Sequence, residues 1–135
     1  MSLLELLAVL MIAGALLALA APRLAVWRDA AAVRGASSEL AGLFSLARAT
    51  AVAQRTTVAV LLDTSSATVT VRSTTGAAAR HTLGDIYGVR LASDRDSAAY
   101  DARGLGAGVS NITVIVARGR VADTLTLSRM GRVRW

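Results

Sequence analysis

The sequence predicts an α+β protein, in which a long N-terminal helix packs on a small antiparallel β-sheet head. Residues 2 to 21 are an almost unbroken apolar run interrupted by one acid, Glu5. Helical spacing then continues past Pro22 to about residue 54. Beyond it lie short segments rich in Val, Ile and Thr, separated by turn-forming residues. These observations divide the chain into an apolar helix half at 1–22, an amphipathic half at 23–55 and a sheet head at 56–135.

The apolar run is long enough, at about 1.5 Å per residue, to cross the roughly 30 Å of a bilayer core. It is not a secretory signal, because no Lys or Arg precedes it and no small-residue cleavage site closes a short apolar core. Pro22 removes one backbone hydrogen bond and predicts a kink rather than an end, and Gly14 weakens the helix one stretch earlier. In the second half, Leu40, Leu43, Phe44, Ala47 and Ala51 fall on a single stripe, whereas Arg34, Ser38, Ser45 and Arg48 fall off it. That stripe needs a partner. "TTVAVLLD", "ATVTVRS", "NITVIVA" and "DTLTLSR" supply one as strands, with "DTSSA" as a hairpin loop. The Gly-, Ser- and Asp-rich middle is expected to hold short strands near "GVRLA" and "AAYDA", and "GRVRW" a final edge strand.

Composition removes whole classes of chemistry. The chain of 135 residues has no cysteine, which excludes disulfides, thiolate metal sites and a cysteine nucleophile. Its one histidine, His81, sits in a polar, loop-like context with no Ser/His/Asp arrangement around it. Asp94, Asp96 and Asp101 resemble a calcium loop but lack the glycine and closing glutamate, and read as a solvated acidic loop. "GLGAG" lacks the Lys-Ser/Thr of a phosphate loop. No enzyme, no cofactor and no metal site is expected. The formal charge is +6, and every basic residue is an arginine. Residues 117–135 carry Arg118, Arg120, Arg129, Arg132 and Arg134 against Asp123 alone. Alternation places Arg132 and Arg134 on one face of a terminal strand, with Val133 and Trp135 on the other. Such a face can grip successive phosphates or can simply guard a sheet edge.

The opening "MSLLELLAVLMIAGALLALAAP" resembles the mature N-terminus of type IV pilins and type II secretion pseudopilins. Ser2, Glu5, Gly14 and Pro22 stand where that family has a small hydroxyl residue, a glutamate, a frequent glycine and a proline. Met1 departs from the commoner phenylalanine. "ELAGLFSLARATAVAQRTTVAVLLD" and "YDARGLGAGVSNITVIVARGRVADTLTLSRMGRVRW" resemble the GspH/FimT-like branch, including its terminal Gly-Arg-x-Arg. The resemblance implies that a prepilin peptidase removes a leader and leaves a methylated amine on Met1. It implies that an assembly platform draws the subunit from the bacterial inner membrane into a periplasmic or extracellular filament of pilins. Glu5 would there pair with the N-terminal amine of a neighbour, and the helix would melt between Gly14 and Pro22. Ala13, Ala15, Ala18, Ala20 and Ala21 would let neighbouring helices approach closely. The same resemblance implies DNA capture by Arg132 and Arg134, extended by Arg118, Arg120 and Arg129, as an alternative role. A single-pass anchored domain that does not polymerise is the other alternative.

Overall fold

The computed structural model describes residues 2–108 and 111–134; Met1, Val109, Ser110 and Trp135 lie outside it. Helix α1 spans Leu3–Gln54 and runs continuously through Gly14 and Pro22. Its length is about 78 Å at 1.5 Å per residue. Arg55 ends it in the left-handed region (φ 50°), where its N–H bonds back to the Ala51 and Val52 carbonyls. The apolar stripe is buried as its spacing requires: Leu40, Leu43, Phe44, Ala47 and Ala51 are each less than 5% exposed.

The head is built from β1 (Val58–Asp63), β2 (Thr68–Ser73), β3 (Gly76–Thr82), α2 (Leu83–Tyr87), β4 (Arg90–Ser93), β5 (Ser97–Tyr100), β6 (Gly106–Ala107), β7 (Ile112–Arg118), β8 (Val121–Leu127) and β9 (Val133–Arg134). All pairings are antiparallel. Two sheets result rather than one, with orders β3-β2-β1-β5-β6 and β4-β7-β8-β9. Alternation decides which faces they bury. Val58, Val60 and Leu62 of β1 and Ile112, Val114 and Val116 of β7 point inward, and α1 lies across both sheets. The core therefore sits between Val33–Ala51 of the helix and the two inner sheet faces.

The hairpin expected at "DTSSA" joins β1 to β2. Asp63 organises it, accepting from the Ser65 N–H at 2.9 Å and from the Ser66 hydroxyl at 2.8 Å. These hydroxyl and amide donors pull the Asp63 carboxyl down to about 2. The middle of the chain departs from expectation. Strands β4 and β5 lie where short strands were expected, but β3, α2 and β6 are additional. His81 belongs to β3 and pairs with Val69, so its loop-like context was misleading. "GAAARHT" has no β-branched residue until its end, and what makes it a strand is pairing with β2 across an irregularity at Val71/Arg72.

Candidate functional site

The helix has two environments. Every described residue from Ser2 to Arg28 is exposed, including Leu3 at 85%, Leu17 at 71% and Trp27 at 75%. An apolar surface of this length is untenable in water, since burying each large aliphatic side chain is worth about 1.5–3 kcal/mol. The 18-residue window that could cross a membrane is 0% buried. Ser2 caps this segment. Its hydroxyl accepts from the Glu5 N–H at 3.3 Å, and Glu5 Oε2 accepts from the Ser2 N–H at 3.4 Å. This reciprocal pattern is a capping box, readable from "SLLE" in the sequence but missed there. Both distances exceed the 2.9–3.0 Å common for such bonds, so the Glu5 carboxylate is held loosely. Met1, the expected site of processing and methylation, lies outside the described residues.

Where the head begins, polar contacts clasp it to the helix. Arg118 of β7 pairs through Nε with Asp29 Oδ1 at 2.9 Å and donates through Nη1 to the Tyr87 carbonyl. Tyr87 in turn donates its hydroxyl to Glu39 Oε2 at 2.7 Å, and His81 Nδ1 meets the other oxygen, Oε1. Glu39, by taking the Tyr87 hydrogen bond, holds that phenol above its ordinary value, with burial adding to the effect. Gly35, one helical turn before Glu39, is the notch for the ring: a Cβ there would stand 2.8 Å from Tyr87 Cε1. Asp29, Gly35 and Glu39 thus fix β7, α2 and β3 to α1.

The acidic residues of the expected loop serve the backbone. Asp94 Oδ1 accepts from the Thr113 N–H at 3.0 Å, and Asp101 Oδ1 accepts from the Arg103 and Leu105 N–H groups at 2.9 and 3.0 Å. Among the described residues, no three His, Asp or Glu side chains converge on a metal-sized site.

The five C-terminal arginines do not form one face. Arg118 is engaged with Asp29, and Arg120 occupies the β7–β8 turn beside it. Arg134 pairs with Thr126 at the opposite end of β8, and Arg129 and Arg132 flank the turn that leads to it. The length of β8 separates the groups by about 20 Å. Arg132 and Arg134 instead join a residue the sequence reading left on the polar face of the helix, Arg48. Together they line a groove of about 840 Å³ between α1 and β9. The rest of its lining is Ala41, Ser45, Ala49, Val52, Ala53, Gly131 and Val133. Gly131 makes this possible. It adopts φ +70°, and a Cβ there would lie 2.7 Å from the Gly104 carbonyl oxygen and 3.2 Å from the Tyr100 ring. Gly104 likewise leaves room for Arg48, whose Nε would be 3.1 Å from a Cβ at that position. Under the groove, burial raises the Tyr100 phenol to about 12, opposed in part by the Arg48 charge.

No protein-family model matches the chain, and no curated protein matches it either. The fold does match the type IV minor pilin FimU of Pseudomonas aeruginosa strain PAO1, seen in two crystal forms. Each superposes with a TM-score of 0.62, at 17% and 16% sequence identity. The matches cover 76% and 75% of this chain and 86% and 90% of the FimU chain. At that identity the likeness is one of backbone architecture: this chain shares the fold of that minor pilin, a long helix packed on antiparallel sheets.

Proposed function

We propose that the chain is a structural subunit of a type IV pilus-like or type II secretion pseudopilus filament. The carrying observation is that a capped helix, exposed at every described residue to Arg28 and apolar but for Glu5 through Pro22, continues unbroken into a packed head. Such a surface can be covered by lipid before assembly and by the helices of neighbouring pilins afterwards. The subunit resides in the bacterial inner membrane and then in a periplasmic or extracellular filament. A prepilin peptidase and an assembly platform are its partners on that route, with Met1 as the processed residue. Glu5 carries the registration step. A charge within a membrane-spanning helix costs about 2.5–3.5 kcal/mol, and a neighbour's N-terminal amine offsets that cost once the two are in contact. Gly14 and Pro22 are where the helix would loosen to fit the bundle.

The test is cryo-electron microscopy of sheared surface or envelope material from cells expressing the full chain, alongside Glu5→Gln. A helical array with residues 1–54 at its centre, lost in Glu5→Gln, is expected. Membrane-bound chain that never assembles, with Glu5→Gln indistinguishable from wild type, supports the non-polymerising anchored domain instead. The alternative role in DNA capture loses Arg118 to its ion pair with Asp29 and has Arg120 at the wrong end of β8. What remains of it is Arg129, Arg132 and Arg134 at the other end of β8, where it competes with the inference below.

A further inference from the structure

The groove between α1 and β9 presents three exposed arginines, Arg48, Arg132 and Arg134, above an apolar floor. Among the described residues none of the three is paired with an acid. Arg48 reaches over Gly104, where a Cβ would stand 3.1 Å from its Nε and 3.3 Å from its Cγ. Unpaired guanidinium groups on a built groove call for carboxylate or phosphate partners.

We propose that this groove binds an acidic, apolar-flanked peptide segment of a protein other than this chain. The shape selects a peptide. From Ala41 to Ala53 the floor extends about 18 Å along the helix, the length of roughly five residues of extended chain. A single phosphate or a free amino acid would leave most of it empty. Apart from Ser45, the lining between the arginines is Ala41, Ala49, Val52, Ala53 and Val133, which offers a nucleic-acid backbone little to bond but suits alternate apolar side chains whose neighbours reach the arginine rim. Position excludes lipid headgroups. The groove begins at Ala41, twenty residues beyond Ala21 at the end of the apolar run, about 30 Å along the helix and several Debye lengths away.

Charge disfavours a second copy. The chain is +6 overall. Asp29, Glu39, Asp63, Asp94, Asp101 and Asp123 already accept bonds from their own chain. Of the remainder, Glu5 belongs to the apolar helix, Asp85 shares its cleft with Arg80 and Arg90, and Asp96 follows Arg95 directly. A more acidic molecule supplies free carboxylates that this chain, at +6, offers poorly. This goes beyond the filament reading and does not depend on it, because the contact is made by the dispersed chain.

The test uses the full chain in nonionic detergent and fluorescence anisotropy of a labelled short peptide alternating Glu and Leu. Competing probes are its Gln-for-Glu counterpart and a labelled single-stranded oligothymidine. Saturable binding of the acidic peptide is expected, weakened at least about tenfold by combining Arg132→Gln with Arg134→Gln. Arg72→Gln, an exposed arginine outside the groove, leaves it unchanged. Ala49→Phe fills the floor at an exposed helix position and abolishes peptide binding, with unaltered near-ultraviolet circular dichroism as the check on folding. Equal binding of the Gln peptide, or no binding of either, overturns the proposal. Tighter binding of the oligonucleotide that survives Ala49→Phe overturns it in favour of a polyanion site. Self-association in sedimentation that disappears with the Arg132 and Arg134 substitutions overturns it in favour of a second copy.

Discussion

Gly35→Ala inverts a general rule and so tests the clasp between helix and head. In a helix interior this exchange ordinarily stabilises by about 1 kcal/mol, because alanine loses less backbone freedom. Here the new methyl would meet Tyr87 Cε1 at 2.8 Å. The ring has little room to retreat: its hydroxyl is tied to Glu39 at 2.7 Å, and its carbonyl receives Arg118 Nη1. A hydrogen bond to a charged acceptor is worth about 1.5–3 kcal/mol when buried, and half-exposure of this pair argues for the lower end. Subtracting the propensity gain leaves a net destabilisation of roughly 0.5–1 kcal/mol, plus whatever the Arg118 contact loses. With Tyr87→Ala already in place the obstacle is gone, and Gly35→Ala then stabilises by up to about 1 kcal/mol. The measurement is urea unfolding of the full chain in nonionic detergent, followed by the near-ultraviolet signal of buried Tyr100, for all four members of the cycle. The coupling should be about 1.5 kcal/mol or more, with a change of sign between backgrounds. Equal stabilisation in both backgrounds would refute the reasoning, since Tyr87 would then be free to move aside.

The other expectations rest on single sites. Phe44→Ala empties a position only 1% exposed, and thermal or urea unfolding should register a loss of about 3–5 kcal/mol. Gly131→Ala forces a side chain into the left-handed region and against the Gly104 carbonyl; amide exchange at Thr126 and Leu127, which pair with β9, should accelerate while β1 and β2 are unaffected. Alkaline stability follows from Tyr100. The unfolded chain releases that proton near pH 10.0 and the folded chain only at about 12, so stability is unchanged below pH 10 and falls as pH rises through that window. Tyrosinate absorbance should therefore rise together with loss of the near-ultraviolet signal, and a tyrosine titrating freely near pH 10 in the folded chain would contradict the burial.

Much of the fold was legible because its determinants are local and repetitive. The stripe from Leu40 to Ala51 and the alternation in β1 and β7 carry their burial in their spacing. β3 and α2 were not legible, because alanine and histidine become strand only against β2, and five residues make no periodic signal. The clasp was invisible for a related reason. Asp29, Gly35, Glu39, His81, Tyr87 and Arg118 are distant in sequence, and only the crossing of α1 over both sheets brings them together. The arginine groove was half legible. Arg132 and Arg134 stood out in the terminal "GRVRW", but Arg48 read as one more charge on a solvated helix face. The glycine before them looked like part of a motif without a reason. Its reason is steric, since only a residue with no Cβ lets the chain turn over Gly104 and Tyr100 into β9.

Glu5 answers to two demands that the same carboxylate can meet in turn. In the single chain it closes the capping box with Ser2, serving an N–H that has no partner within the helix. That duty is weak in energy and exposed in geometry, with both contacts beyond 3.2 Å. A glutamine could accept the same bond through its carbonyl, so capping alone does not require a charge at this position. Insertion into lipid argues against a charge. The demand that calls for an ionised group is pairing with a cation, and from Leu3 to Pro22 the chain has no Lys, Arg or His. In the filament reading that cation is the N-terminal amine of a neighbouring subunit; if the chain stays alone, only its own N-terminal amine or the lipid–water boundary is at hand. Glu5→Gln preserves the cap and removes the charge, which is why it separates these two readings where Glu5→Ala, losing both functions, would not.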